Sequence, residues 1–131
     1  MSYTYLLVKM ASHVIDKKTP DLCDVIPENV INWEYANEEV KKILTKLYPS
    51  TVWDSEELMD KLYGKNHNCI TGEVFDLPGR FSFVIDPEPR TCLGIHGSHH
   101  VNQRKDVIAI AKELKLSAFD AQTGECVYVQ K

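Results

Sequence analysis

The residues whose types and spacing most directly offer chemistry are His96, His99 and His100, within the run His96-Gly97-Ser98-His99-His100. Imidazoles at this density bind Zn²⁺ or act as acid and base near neutral pH. They define one alternative for the chain, a small metal-dependent enzyme. A metal site also needs fixed geometry and usually a fourth ligand, and the nearest acid along the sequence is Asp106, beyond an expected helix start. Ser98 beside His99 does not make a nucleophile, because adjacent side chains rarely face each other and no Gly-x-Ser-x-Gly turn surrounds it. His67 and Cys69 would reach His96 only by long-range assembly. Cys23, Cys69, Cys92 and Cys126 form no Cys-x-x-Cys pair, and the glycines are scattered rather than gathered into a phosphate loop or dinucleotide fingerprint. The expectation is a chain with no catalytic residues, no metal and no cofactor.

A second set of residues offers recognition instead. Trp33 and Glu34, then Trp53, Asp54, Glu56, Glu57 and Asp60, place two tryptophans beside acids, and large aromatics rimmed by charge are typical of protein interfaces. Both tryptophans could equally be core residues. Residues 1–63 carry seven Lys or Arg against eleven Asp or Glu, whereas residues 64–131 carry eight of each, so the formal charge of −4 resides in the first half. An acidic surface repels phosphate backbones and steers a basic protein toward itself. Direct nucleic-acid binding is therefore disfavoured.

The elements that must position these residues follow from periodicity and turn chemistry. Tyr3, Tyr5, Leu6, Leu7 and Val8 have the aromatic and branched character of a strand ending near Met10. Residues 11–34 lose that period, but Val25, Ile26, Val30, Ile31 and Trp33 are too apolar for a free linker and predict a long loop pinned to the domain. Asn37, followed by Glu38 and Glu39, is a helix start, and Val40, Ile43, Leu44 and Leu47 continue at helical spacing until Pro49. A second helix is expected from Asp54, where Asp-x-x-Glu with Glu57 has the form of a capping box, with Leu58, Met59, Leu62 and Tyr63 as its apolar face and Gly64 as its stop.

Three extended stretches, 70–76, 80–85 and 90–96, are separated by Pro78-Gly79 and Pro87-Glu88-Pro89 at hairpin spacing. Asn102 is positioned to cap a third helix with a stripe of Val107, Ile110, Ala111 and Leu114. Residues 117–119 and 126–129 then flank the turn Asp120-Ala121-Gln122-Thr123-Gly124. Clustered strands with short turns predict α+β: an antiparallel β-sheet with about three helices packed mainly on one face, as a single domain over residues 1–131. At 131 residues, with 44% hydrophobic and 26% charged, the composition is that of an ordinary globular domain. No apolar run approaches the ~20 residues of a membrane helix and no leader is visible, so a cytoplasmic location is expected.

The segments Cys92-Leu-Gly-Ile-His-Gly97, Asp106-Val-Ile-Ala-Ile-Ala-Lys-Glu-Leu-Lys-Leu116 and Ser117-Ala-Phe-Asp-Ala-Gln-Thr-Gly-Glu125 resemble small bacterial proteins of the polymorphic-toxin and contact-dependent growth inhibition immunity type. The resemblance covers about 40 residues and is structural more than chemical. It implies a cytoplasmic antitoxin that binds and neutralises a cognate toxin domain by blocking its active site, plausibly a basic nuclease. His99-His100 matches no feature of that group, and residues 11–60 match nothing in it. A homodimeric scaffold joined through an exposed sheet edge is the third alternative.

Overall fold

A computed structural model describes residues 2–33, 35–64, 69–75, 81–86, 92–98 and 103–130. The chain order is β1 (Ser2–Met10), α1 (Ser12–Ile15), a 3₁₀ turn (Leu22–Asp24), β2 (Val30–Ile31), α2 (Asn37–Leu47), β3 (Val52–Trp53), α3 (Glu56–Tyr63), β4 (Ile70–Val74), β5 (Phe81–Asp86), β6 (Cys92–Ser98), α4 (Gln103–Leu114), β7 (Ser117–Asp120) and β8 (Cys126–Tyr128). One antiparallel sheet runs β3-β4-β5-β6-β1-β7-β8, and β2 pairs with the end of β1. This is the expected α+β architecture, with every anticipated strand and helix present.

Side-chain alternation assigns the two faces. On the inner face, Tyr5, Leu7, Phe81, Phe83, Ile85, Leu93, Ile95 and Ala118 meet Val40 and Leu44 of α2 and Val107, Ile110, Ala111 and Leu114 of α4, all in one core cluster. Each fully buried aliphatic or aromatic side chain there contributes about 1.5–3 kcal/mol of transfer free energy. The apolar stripes of α2 and α4 are thus spent on the same face.

The outer face departs from the expectation. Residues 11–31 are not a plain loop: α1, the 3₁₀ turn and β2 bring Val14 and Val30 against Val8, Met10 and Phe119 in a second core cluster. Among the described residues the α-helices are therefore four, not about three, and the two short ones are on the face opposite the two long ones. Asp21 Oδ1 accepts from the Cys23 N–H at 2.9 Å and Asp24 Oδ2 from the Asp21 N–H at 2.9 Å, so a local capping arrangement orders a stretch with no hydrophobic period.

Two helix starts are displaced by one residue. For α3 the cap is Ser55, whose Oγ accepts from the Leu58 N–H at 3.1 Å, because the Asp54 carboxylate is engaged by the Thr71 hydroxyl of β4. For α2, Asn37 is already helical and Glu39 Oε1 accepts from the Ala36 N–H at 3.2 Å. Gly64 ends α3 as expected, at φ +89, a left-handed conformation that glycine adopts without a Cβ clash. The proposed cap Asn102, His67 and both proline turns of the meander lie outside the described residues. No helix among the described residues is long and apolar enough to cross a membrane.

Gly72 shows how the sheet edge admits a large ring. A Cβ built there would meet Trp53 Cε3 at 2.5 Å and Cζ3 at 2.9 Å. The Trp53 indole lies across this glycine, stacks on Phe83 at 5.9 Å and donates from Nε1 to Thr45 Oγ1 at 3.0 Å, joining β3 to α2. Gly72→Ala is expected to destabilise the fold by about 1–3 kcal/mol through overpacking and to shift the tryptophan emission. Urea unfolding followed by fluorescence tests this, and an unchanged midpoint would show that the ring is free to move away.

Candidate functional site

The strand–helix–strand unit β3-α3-β4 at the sheet edge holds most of the residues singled out for recognition. Thr71 alternates with Ile70 and Gly72 and so belongs to the outer face of β4. Its hydroxyl contacts both the Asp54 carboxylate and Met59 Sδ, the latter at 3.3 Å, and this anchors α3 over the outer face. Met59 is 2% exposed, but Leu58 and Leu62 are 42% and 63% exposed. The expectation that Leu58, Met59 and Leu62 form one buried face is therefore corrected. Leu58 and Leu62 form their own i, i+4 row, and a two-turn helix docked through Met59 cannot bury both rows. The Tyr63 side chain lies outside the described residues.

Val52 and Phe75 extend the apolar surface. Val52 opposes Glu73 in the β3–β4 ladder, so Phe75, two residues on, is its diagonal neighbour on the outer face. They are 59% and 60% exposed. Four of the six large hydrophobic side chains exposed among the described residues thus belong to this single unit, Ile26 and Ile31 being the others. Asp54, Glu56 and Glu57 are exposed, and Asp60 and Glu73 are partly buried. The unit is an exposed apolar surface bordered by acidic side chains.

The tryptophans have other settings. Trp33 is 8% exposed and packs in the inner core. Trp53 is half-buried, and its outer edge shares a shallow groove with Lys41, Lys42 and Lys46 of α2, with the Lys41 ammonium 5.9 Å from the ring centroid. Its surroundings in space carry three lysines and one acid, Glu38, which pairs with Lys41 at 3.9 Å, although its neighbours in sequence are acidic. The two indoles belong to opposite parts of the sheet, Trp53 on edge strand β3 and Trp33 just after β2, which pairs with β1. Glu34 lies outside the described residues.

His96 is on the outer face of β6, with Nδ1 3.0 Å from Thr4 Oγ1 on β1. His99 and His100 lie outside the described residues. No group of three metal-binding side chains occurs among the described residues.

A buried carboxylate with a perturbed pKa belongs to a different place. Asp120, the last residue of β7, has no exposed surface. Its carboxylate accepts from Tyr3 Oη at 2.6 Å, Arg104 Nη2 at 2.9 Å and the backbone N–H groups of Gln122 at 2.9 Å and Thr123 at 3.2 Å. Burial alone would push this carboxyl up, but the four donors outweigh it and hold Asp120 below the usual carboxylate range. Tyr3 is pushed up, first by donating to Asp120. Arg104 is held above its ordinary value, first by its hydrogen bond with Tyr5. A carboxylate with no exposed surface and four donors acts as a structural lock.

No family model, no curated protein and no solved structure matches this chain.

Because folding lowers the Asp120 pKa, the carboxylate's contribution to stability is complete above the unfolded value of about 3.9 and is lost as pH falls through that value toward the folded one. Asp120→Asn is expected to cost about 2 kcal/mol at pH 7. The difference from the parent chain should shrink as pH drops from 5 to 3. Parallel stability curves across that range, measured by urea unfolding, would assign the lock to some other group.

Proposed function

We propose that the chain is an immunity-type binding protein that neutralises a basic toxin domain, and that β3-α3-β4 is the contact surface. The observation that carries this reading is the exposed Leu58, Leu62, Val52 and Phe75 set among Asp54, Glu56, Glu57 and Asp60. The leucines supply area that gains by leaving water, at about 25 cal/mol per Å². The acids set the encounter rate and select a partner of opposite charge. A stable complex needs about 1,200–2,000 Å² of total buried surface, which α3 alone does not provide, so the contact extends onto the outer face of β3 and β4. The resemblance of residues 92–125 to immunity proteins supports the same class, and a cytoplasmic site of action goes with it. The active site of a basic nuclease, built to hold phosphate, is complementary to such an acidic surface.

Co-purification of the untagged chain with its native partner, followed by mass spectrometry, identifies the partner. The captured domain, expressed alone, should arrest growth, and co-expression of this chain should restore it. Leu58→Asp with Leu62→Asp is expected to abolish rescue while the thermal midpoint stays within a few degrees, because neither side chain is part of a buried core cluster. Glu56→Lys with Glu57→Lys should slow association and weaken its salt dependence. Full rescue by the leucine variant, or association kinetics indifferent to the charge reversal, would remove this surface from the interface.

A further inference from the structure

A cavity of about 430 Å³ opens at the C-terminal end of α4, between the ends of β1 and β7 and the chain after β2. Its walls include Trp33 and Tyr35, and its rim carries Lys9, Ser12, Lys115 and Gln130. That volume is within the range of small-molecule sites, which are mainly apolar with a few placed polar groups. The two lysines are the only charged side chains that line it among the described residues. Neither ammonium takes part in a described ion pair. Two cations around one aromatic-walled cavity run against a chain whose net charge is −4.

Lys115 adds a second, independent sign. It is the one described non-glycine residue with positive φ, at +57. The Leu116 N–H donates to the Ala111 carbonyl at 2.8 Å and the Lys115 N–H to the Lys112 carbonyl at 3.3 Å, which makes the end of α4 a Schellman motif with Lys115 in the left-handed position. Glycine is usual there, and a side chain with a Cβ costs about 1 kcal/mol. A cation near a helix C-terminus recovers about 0.3–1 kcal/mol, which at best offsets that cost and gives no net reason to prefer lysine over glycine.

We infer that this cavity is a binding site for a small organic anion with a flat apolar body. The body lies against Tyr35 and the edge of Trp33 that reaches the cavity, and the anionic group is held between Lys9 and Lys115. The site is separate from the β3-α3-β4 surface and does not depend on the immunity reading.

The test is fluorescence titration of the full chain with 8-anilinonaphthalene-1-sulfonate at low ionic strength, beside its uncharged analogue N-phenyl-1-naphthylamine. Saturable one-to-one binding of the sulfonate is expected. Lys9→Glu and Lys115→Gly should each weaken it by about fivefold, as expected for partly exposed charge pairs, and both should leave the uncharged probe unaffected. Lys115→Gly should also raise the thermal midpoint, because it relieves the positive φ, so loss of binding with gain of stability separates a ligand role from a structural one. Binding that is unchanged in both lysine variants would overturn the inference. So would sulfonate binding abolished by Leu58→Asp with Leu62→Asp, which would assign the probe to the other surface.

Discussion

A carboxylate removed from water must find donors or give up its charge, and Asp120 meets that condition with groups drawn from three separate parts of the chain. Tyr3 comes from β1, Arg104 from the first turns of α4, and the Gln122 and Thr123 amides from the turn that follows β7. Satisfying one side chain therefore fixes where the first strand, the last helix and the closing hairpin stand. Thr4 and Gln122 repeat the connection, with the Gln122 amide nitrogen donating to the Thr4 carbonyl at 2.8 Å and the Thr4 N–H to Gln122 Oε1 at 2.5 Å. Register between β1 and β7 follows from this lock, and with it the placement of Leu7 and Ala118 on the inner face and Val8 and Phe119 on the outer.

Once the register is set, the division of labour between the sheet faces is determined. The inner face receives two helices of eleven and twelve residues and becomes the main core. The outer face receives only short pieces: α1 and β2 cover the β1–β7 end, and α3 covers part of β4. A sheet covered fully on one side and partly on the other leaves edge apolar residues in water. In this chain they are concentrated on the one unit that is also acidic.

Much of this was legible in the residues. The strands from β4 to β8 and the two long helices follow from turn residues and local period, because each is decided within a dozen positions: Val107, Ile110, Ala111 and Leu114 are a stripe whatever they pack against. The recognition surface was legible in its acids but not in its apolar part. Sequence reading offered Trp33 and Trp53 as interface anchors with the core as the alternative, and placed Leu58 and Leu62 on a buried helix face; in the structure Trp33 is in the core, Trp53 is half-buried and both leucines face outward. The reason is non-local. Trp53 is received because Gly72, nineteen positions away in the chain, lacks a Cβ, and α3 exposes its leucines because Thr71 takes hold of it through Met59 and Asp54. Residues 11–31 escaped detection because their order comes from capping carboxylates and from Phe119 and Val8 beneath them, not from a hydrophobic repeat.

The central position of β1 has a consequence for how the chain is made. β1 lies between β6 and β7, so apart from Lys9 and Met10, which pair with β2, its edges wait for partners encoded far along the chain, 90 and 115 positions later for Tyr5 with Ile95 and Asp120. At a synthesis rate of about 5–20 residues per second, that strand spends on the order of ten seconds with its hydrogen-bonding groups unpaired and its tyrosines and leucines uncovered. No fragment that stops before β7 contains the Asp120 lock or a completed inner core. Folding is therefore dominated by long-range pairings, the kind of topology that folds slowly for a domain of this size.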